Sequence, residues 1–230
     1  MDTALFGRRL GPVAVAIFTV LACLVLGGCD PDAAEKKAVR ETLQVVEDAI
    51  EANDARTYTE LVTQGTFLHY ERILRLANTA RQAEVAVLPP AERFLILLLR
   101  HHIPLEERQN LDGRTLLSRI VSEGWWAGSA GDGSSIDYGE IKINGAYARV
   151  QIVWNGKPTG FWVQFIRENA YGQPDPTAPW KLDDPSMDAF SNDLIPRLAR
   201  EINRNENDLM VMVVARESGE PVRPDIWDRP

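Results

Sequence analysis

Apolar positions along the chain fall into three regimes. From Val13 to Leu26 they run almost unbroken, interrupted by Thr19 and Cys23. From Asp32 to Gly124 they recur at helical spacing: Val39, Leu43, Val46 and Ile50 form one stripe at intervals of four, three and four, ending near Asn53. The same period predicts helices near 55–63, 67–79, 91–102 and 113–123. Pro89-Pro90 precedes the third of these, Pro104 follows it, and Gly124 is placed to cap the last. Phe94 to Leu99 is apolar on every side, which predicts burial.

From 134 to 183 the period becomes two. Ile141 and Ile143 alternate with polar residues and lead into Asn144-Gly145, a two-residue hairpin turn. Ala146, Ala148, Val150, Ile152 and Trp154 then share one face of the next strand. Asn155-Gly156-Lys157-Pro158 turns the chain into Gly160 to Ile166, and a Gly- and Pro-rich loop from Gly172 to Pro179 precedes Trp180-Lys181-Leu182-Asp183. Consecutive hairpins predict an antiparallel meander, with no room for parallel crossovers. Helices return near 187–205, where Pro196 is expected to kink the element, and near 207–217, before an extended tail from Gly219 to Pro230. The fold class expected is α+β, with 32–124 mainly helical, 134–183 an antiparallel sheet and 187–217 a helical extension.

The amino terminus changes the picture from fold to location. Arg8 and Arg9 precede the apolar run, and Leu26-Gly27-Gly28-Cys29 ends it, the order of a secretory signal. Those last four residues resemble the lipobox of bacterial lipoproteins, in which the cysteine is lipidated before cleavage between Gly28 and Cys29. The competing reading, an uncleaved span, meets Gly11-Pro12 and Gly27-Gly28, which shorten the continuous apolar stretch below the ~20 residues that cross a bilayer. The resemblance implies a diacylglyceryl group on Cys29, commonly with a third acyl chain on its amine. Two or more chains hold a protein at a membrane stably. Asp30 resembles an inner-membrane retention signal, which favours the inner over the outer membrane, with the body facing the periplasm. The expected organisation is a signal peptide at 1–28 and a single domain at 29–230. Asp32 and Glu35 fit a helix start directly behind the anchor, so the domain is expected to work close to the bilayer.

The chain carries 25 basic and 33 acidic residues, a formal charge of −8. Removing 1–28 takes away Asp2, Arg8 and Arg9 and leaves −9, which argues against nucleic acid as a partner. Residues 66–120, with eight basic and six acidic side chains, are the exception, and a solvated helical face accounts for them. Of the two cysteines, Cys23 leaves with the signal and Cys29 carries lipid. That removes cysteine nucleophiles, thiolate metal sites and internal disulfides from the mature chain.

A leading helix at 32–53 followed by hairpins over 136–183 ending in Trp-Lys-Leu-Asp resembles the nuclear-transport-factor-two-like cone, the fold of ketosteroid isomerase. The resemblance implies a bent sheet of about four strands wrapped on a helix, often around an apolar pocket. Here a helical insertion and a C-terminal helical extension depart from that pattern. The chain also looks like a group of uncharacterised bacterial lipoproteins built this way.

Cone enzymes imply a strand carboxylate acting with a tyrosine, for which Asp137, Tyr138, Glu140 and Glu168 are the candidates. Asp137 and Tyr138 alternate to opposite faces, so the bland reading is solvated acids and one packing tyrosine. Ala127 to Gly131 superficially resembles a hydrolase nucleophile elbow but follows a helix rather than a strand, and Gly128 to Gly133 lacks the Lys-Ser/Thr of a phosphate loop. His101 and His102 diverge by about 100° on a helix, and with His69 they offer no metal-ligand spacing. Of six tryptophans most suit a core, and one of the neighbours Trp125 and Trp126 is expected to stay exposed for contact with a ligand, lipid or partner.

These features point to an envelope lipoprotein whose domain binds a protein partner or a small apolar ligand, with no cofactor and no metal. Trp125, Trp126 and Tyr138 are the expected contacts. The alternatives are a membrane-tethered enzyme of isomerase or hydrolase type working in a cone pocket, and a structural accessory in envelope assembly.

Overall fold

The computed structural model describes residues 31–125 and 136–228. The signal segment with Gly28, Cys29 and Asp30, and the loop containing Trp126, Ala127 to Gly131 and Gly133, lie outside the described residues. The described chain is the expected α+β fold, with a four-stranded antiparallel sheet in the order β1-β2-β3-β4 that does not close. Among the described residues no helix is long and apolar enough to cross a membrane.

Helix α1 (Ala33–Glu51) buries Val39, Leu43, Val46 and Ala49, the stripe its periodicity announced. The Glu35 carboxylate accepts from Arg167 (2.6 Å) and from the Trp180 indole (3.1 Å), pinning the helix start to the sheet. Helices α2 (Ala55–Leu61), α3 (Gln64–Thr79), α4 (Gln82–Ala86), α5 (Pro90–His102), α6 (Leu105–Arg108) and α7 (Gly113–Ser122) follow. Three of these starts are closed by side chains: Asp54, Thr63 and Asp112 each accept from a backbone N–H three residues on. Gly124 ends the series at φ +69°, a left-handed conformation that suits glycine. At Gly113 an added Cβ would lie 2.1 Å from the Phe67 carbonyl oxygen, so this glycine lets α7 approach the α3 backbone.

Strands β1 (Ile136–Asn144), β2 (Tyr147–Trp154), β3 (Lys157–Arg167) and β4 (Trp180–Asp183) form the meander. Ile141 opposes Val150, and Ala148 opposes Phe165, which opposes Leu182, so the apolar positions share one face. That face packs against α1. Val150, Ile152 and Phe165 are fully buried, and Ala148 and Val163 nearly so. The link between α2 and α3 pairs with the free edge of β4 through Val62 and Leu182.

A 3-10 turn (Asp184–Met187) leads into α8 (Asp188–Glu201), with Pro196 inside it, and α9 (Glu206–Ser218). Phe190 of α8 closes the core against Trp154 and Phe161. Asn192 accepts from the Ala91 backbone (2.8 Å), capping an α5 start that its prolines leave without a side-chain cap. Helix α5 is buried on several sides because it divides two cores. Ile96 and Leu99 face the main one, while Leu97 and Leu98 pack with Met210, Val214 and Ile226.

Candidate functional site

The start of α3 gathers the buried polar groups of the molecule's sheet side. Its first turn presents unpaired N–H groups and the positive end of the helix dipole. Thr63 caps Thr66, and the buried Glu168 carboxylate accepts from the Gln64 N–H at 2.7 Å while facing Lys181 at 3.5 Å. Thr63 Oγ1 also donates to Asp183 at 3.3 Å. Immediately after β4, Asp184 accepts hydrogen bonds from two buried phenols: Tyr70 at 2.7 Å and Tyr58 at 3.1 Å. Its own N–H donates to Thr66 Oγ1. Burial raises the Asp184 pKa, and the two tyrosine hydrogen bonds pull the other way. Burial likewise drives both phenols well above their ordinary value, so they remain donors.

Asp188 stands one helical turn further on. Burial first, then the Asp184 and Glu92 charges, push its carboxyl up to about 7 against the opposing Arg72. His69 Nε2 lies 3.7 Å from it, and burial lowers the pKa of that imidazole. This places a raised carboxyl beside a lowered imidazole in the nest. Geometry otherwise assigns these acids to holding α2, α3, β4 and α8 together.

The four carboxylate and tyrosine candidates of a cone enzyme do not converge. Asp137 and Tyr138 stand at the start of β1, Glu140 is exposed beside Lys142 (3.3 Å), and Glu168 lies past the end of β3, at the opposite end of the sheet from Asp137. Tyr138 opposes Ile152 on the packed face, and burial, with the Glu47 charge, pushes its phenol up to about 12. Trp125 is half-buried, stacked on His102 with ring centroids 4.5 Å apart, and it packs against both cores. His101 instead reaches Ser218 (2.9 Å). Among the described residues no group of His, Cys, Asp and Glu is arranged to hold a metal.

The other face of the sheet carries the aromatic that sequence reasoning passed over. Trp162 stands there with Lys142 Nζ 4.5 Å and the Arg149 guanidinium 5.8 Å from its ring. Registers Lys142–Arg149 and Gln151–Trp162 bring them together, and Tyr147 is exposed on the same face. Alternation along β2 and β3 marks this face as outward, but nothing in spacing says that one tryptophan there would be bracketed by two cations. A separate cleft of about 620 Å³ opens between α8, α9 and Trp227, lined by Arg93, Arg200, Arg204 and Glu206 among others.

No protein-family model matches the chain, and neither the curated proteins nor the solved structures compared with it include a significant match.

Proposed function

We propose that this chain is a lipid-anchored envelope lipoprotein whose domain is a binding module, cone-like in plan, that takes a protein partner on the outer face of its sheet. One observation carries the reading: the inner face is buried in one core with α1. Val39, Leu43 and Val46 of α1 occupy the side of the sheet where a cone enzyme keeps its substrate, against Val150, Ile152 and Phe165, all buried. The outer face instead offers Trp162 and Tyr147 beside Lys142 and Arg149, an aromatic-cation surface on an otherwise acidic body. It suits a partner with acidic side chains around an apolar patch. Cys29, behind its apolar run, supports the anchor.

The test is a photo-crosslinker, p-benzoylphenylalanine, in place of Gln164 on that face, activated in native membranes. A discrete adduct is expected, lost on Lys142→Glu with Arg149→Glu and kept on Tyr58→Phe. An adduct indifferent to the charge reversal, or none, overturns the reading.

A second reading, a membrane-tethered enzyme, is favoured by the Asp184–Tyr58–Tyr70 cluster with Asp188 beside His69. Loss of envelope function in Asp188→Asn, with the outer-face adduct intact and the melting temperature unchanged, would favour it over the binding module.

A further inference from the structure

Antiparallel order brings three segments to one end of the sheet: the β1–β2 turn at Asn144 to Ala146, the connection from Glu168 to Pro179, and the first turns of α1. The last is fixed there by Glu35, bound to Arg167 and Trp180 at the facing ends of β3 and β4. Past Arg167 the chain doubles back through the Gly172 N–H to Asn169 hydrogen bond and the Glu168–Pro174 bridge. The tip so formed, Asn169 to Pro174, has no charged residue, and Tyr171 on it is 85% exposed. A phenol offered to solvent on an uncharged tip is, with indole, the kind of side chain enriched at a membrane–water boundary.

Charge along α1 points the same way. Its first half carries Lys36, Lys37 and Arg40 together with Glu35, bound to Arg167, and Glu41, 3.5 Å from Lys37, whereas its last turns carry only acids, Glu47, Asp48 and Glu51. Acids at a carboxyl end oppose the helix dipole, so those last turns cost helix stability where they stand. The acidic end is crowded: after burial itself, the neighbouring Glu51 and Asp48 charges, with Asp137, raise the Glu47 pKa. An anionic surface beyond the amino-terminal end would favour the observed polarity by repelling the acidic turns, with Lys36, Lys37 and Arg40 on the nearer side. Cys29 is six residues before Glu35. An extended chain of that length spans about 20 Å at most, whereas β3 carries Lys157 about 30 Å away from Arg167.

We propose that this end of the domain seats on the phospholipid headgroups, with Tyr171 at the interface and Lys36, Lys37 and Arg40 against the phosphates. The proposal rests on the lipid-anchor reading above and adds an orientation to it: the sheet stands on the membrane and the β2–β3 turn points away.

The lipidated mature chain, in vesicles of phosphatidylethanolamine and phosphatidylglycerol containing a headgroup quencher, tests it. On the anchor reading the mature chain has no other free thiol, so a fluorophore can be placed on Ala170→Cys or, as reference, on Lys157→Cys; both positions are exposed. Quenching about threefold or more stronger at 170 than at 157 is expected from their separation. Tyr171→Glu with Lys36→Glu and Lys37→Glu should bring the two towards parity. Equal quenching at both positions, or stronger quenching at 157, overturns the orientation. Flotation separates the two claims. If wild type floats with vesicles and Cys29→Ser does not, the anchor stands whatever the fluorophores report. If both float alike, the anchor reading fails and the orientation falls with it.

Discussion

Two sets of buried charge hold this molecule together, by opposite means. At the carboxyl ends of α3 and α5, Arg100 and Arg108 are 3% exposed and face backbone carbonyls rather than carboxylates. Arg100 donates to Ala77, Ala80, Ile226 and Trp227; Arg108 donates to Leu99 and Ile103 and to the Asn78 side chain. Ala77, Ala80 and Ile103 carry carbonyls at helix ends, where the dipole favours a cation, while Ile226 and Trp227 belong to the tail. Burial lowers Arg100 only to about 10, so it stays charged. At the amino end of α3, Asp183, Asp184 and Asp188 meet hydroxyls and one another, and burial raises all three. A guanidinium against fixed carbonyl dipoles is pH-blind. A carboxyl among phenols and other carboxyls is left adjustable.

The largest effect should come from breaking the cationic side. Arg100→Ala strands four carbonyls and frees the tail from α5, for a loss of about 4 kcal/mol. Chemical denaturation measures it, and faster proteolysis around Gly219 to Asp228 should accompany it. Arg100→Lys should recover less than half, because an ammonium cannot span all four acceptors.

On the acidic side, Tyr70→Phe removes the 2.7 Å hydrogen bond to Asp184 and should cost about 1–3 kcal/mol. Tyr58→Phe removes the 3.1 Å bond and should cost less. A reversed order in thermal melts would mean that Tyr58 is the main support of the carboxylate.

The smallest effect sharpens the contrast in pH. A carboxyl raised from 3.8 to about 7 favours the fold while protonated, and that stability is lost as pH rises through 7. Between pH 6.5 and 8.5 Asp188 should therefore lose about 1 kcal/mol, a fall in Tm of about 2–4 °C. Asp188→Asn should flatten that slope, and Arg100→Lys should leave it unchanged. His69, lowered by burial, acts in the opposite sense, mostly below this window.

Much of the architecture was legible because it follows local rules. Gly145 set the first hairpin, although its two-residue loop is Gly145-Ala146 and Asn144 stays in β1 opposite Tyr147; alternation separated Val150 and Ile152 from Arg149 and Gln151, and Gly124 stopped α7. The unbroken apolar run of α5 announced an element covered on several sides. Element edges shifted where side chains decided them. Helix α3 starts at Gln64, ahead of the expected position, because Thr63 caps it.

What the chain determined by itself is its periodicity, its turns and the thiol at Cys29 behind an apolar run, since each depends on neighbours a few residues apart. Only the tertiary structure decided which charges meet. Tyr58 and Tyr70 reach Asp184 across more than a hundred residues, and Arg100 finds carbonyls that no residue type encodes. Burial of the α1 stripe in one core with Val150, Ile152 and Phe165 was equally a matter of packing, since it joins residues about a hundred positions apart.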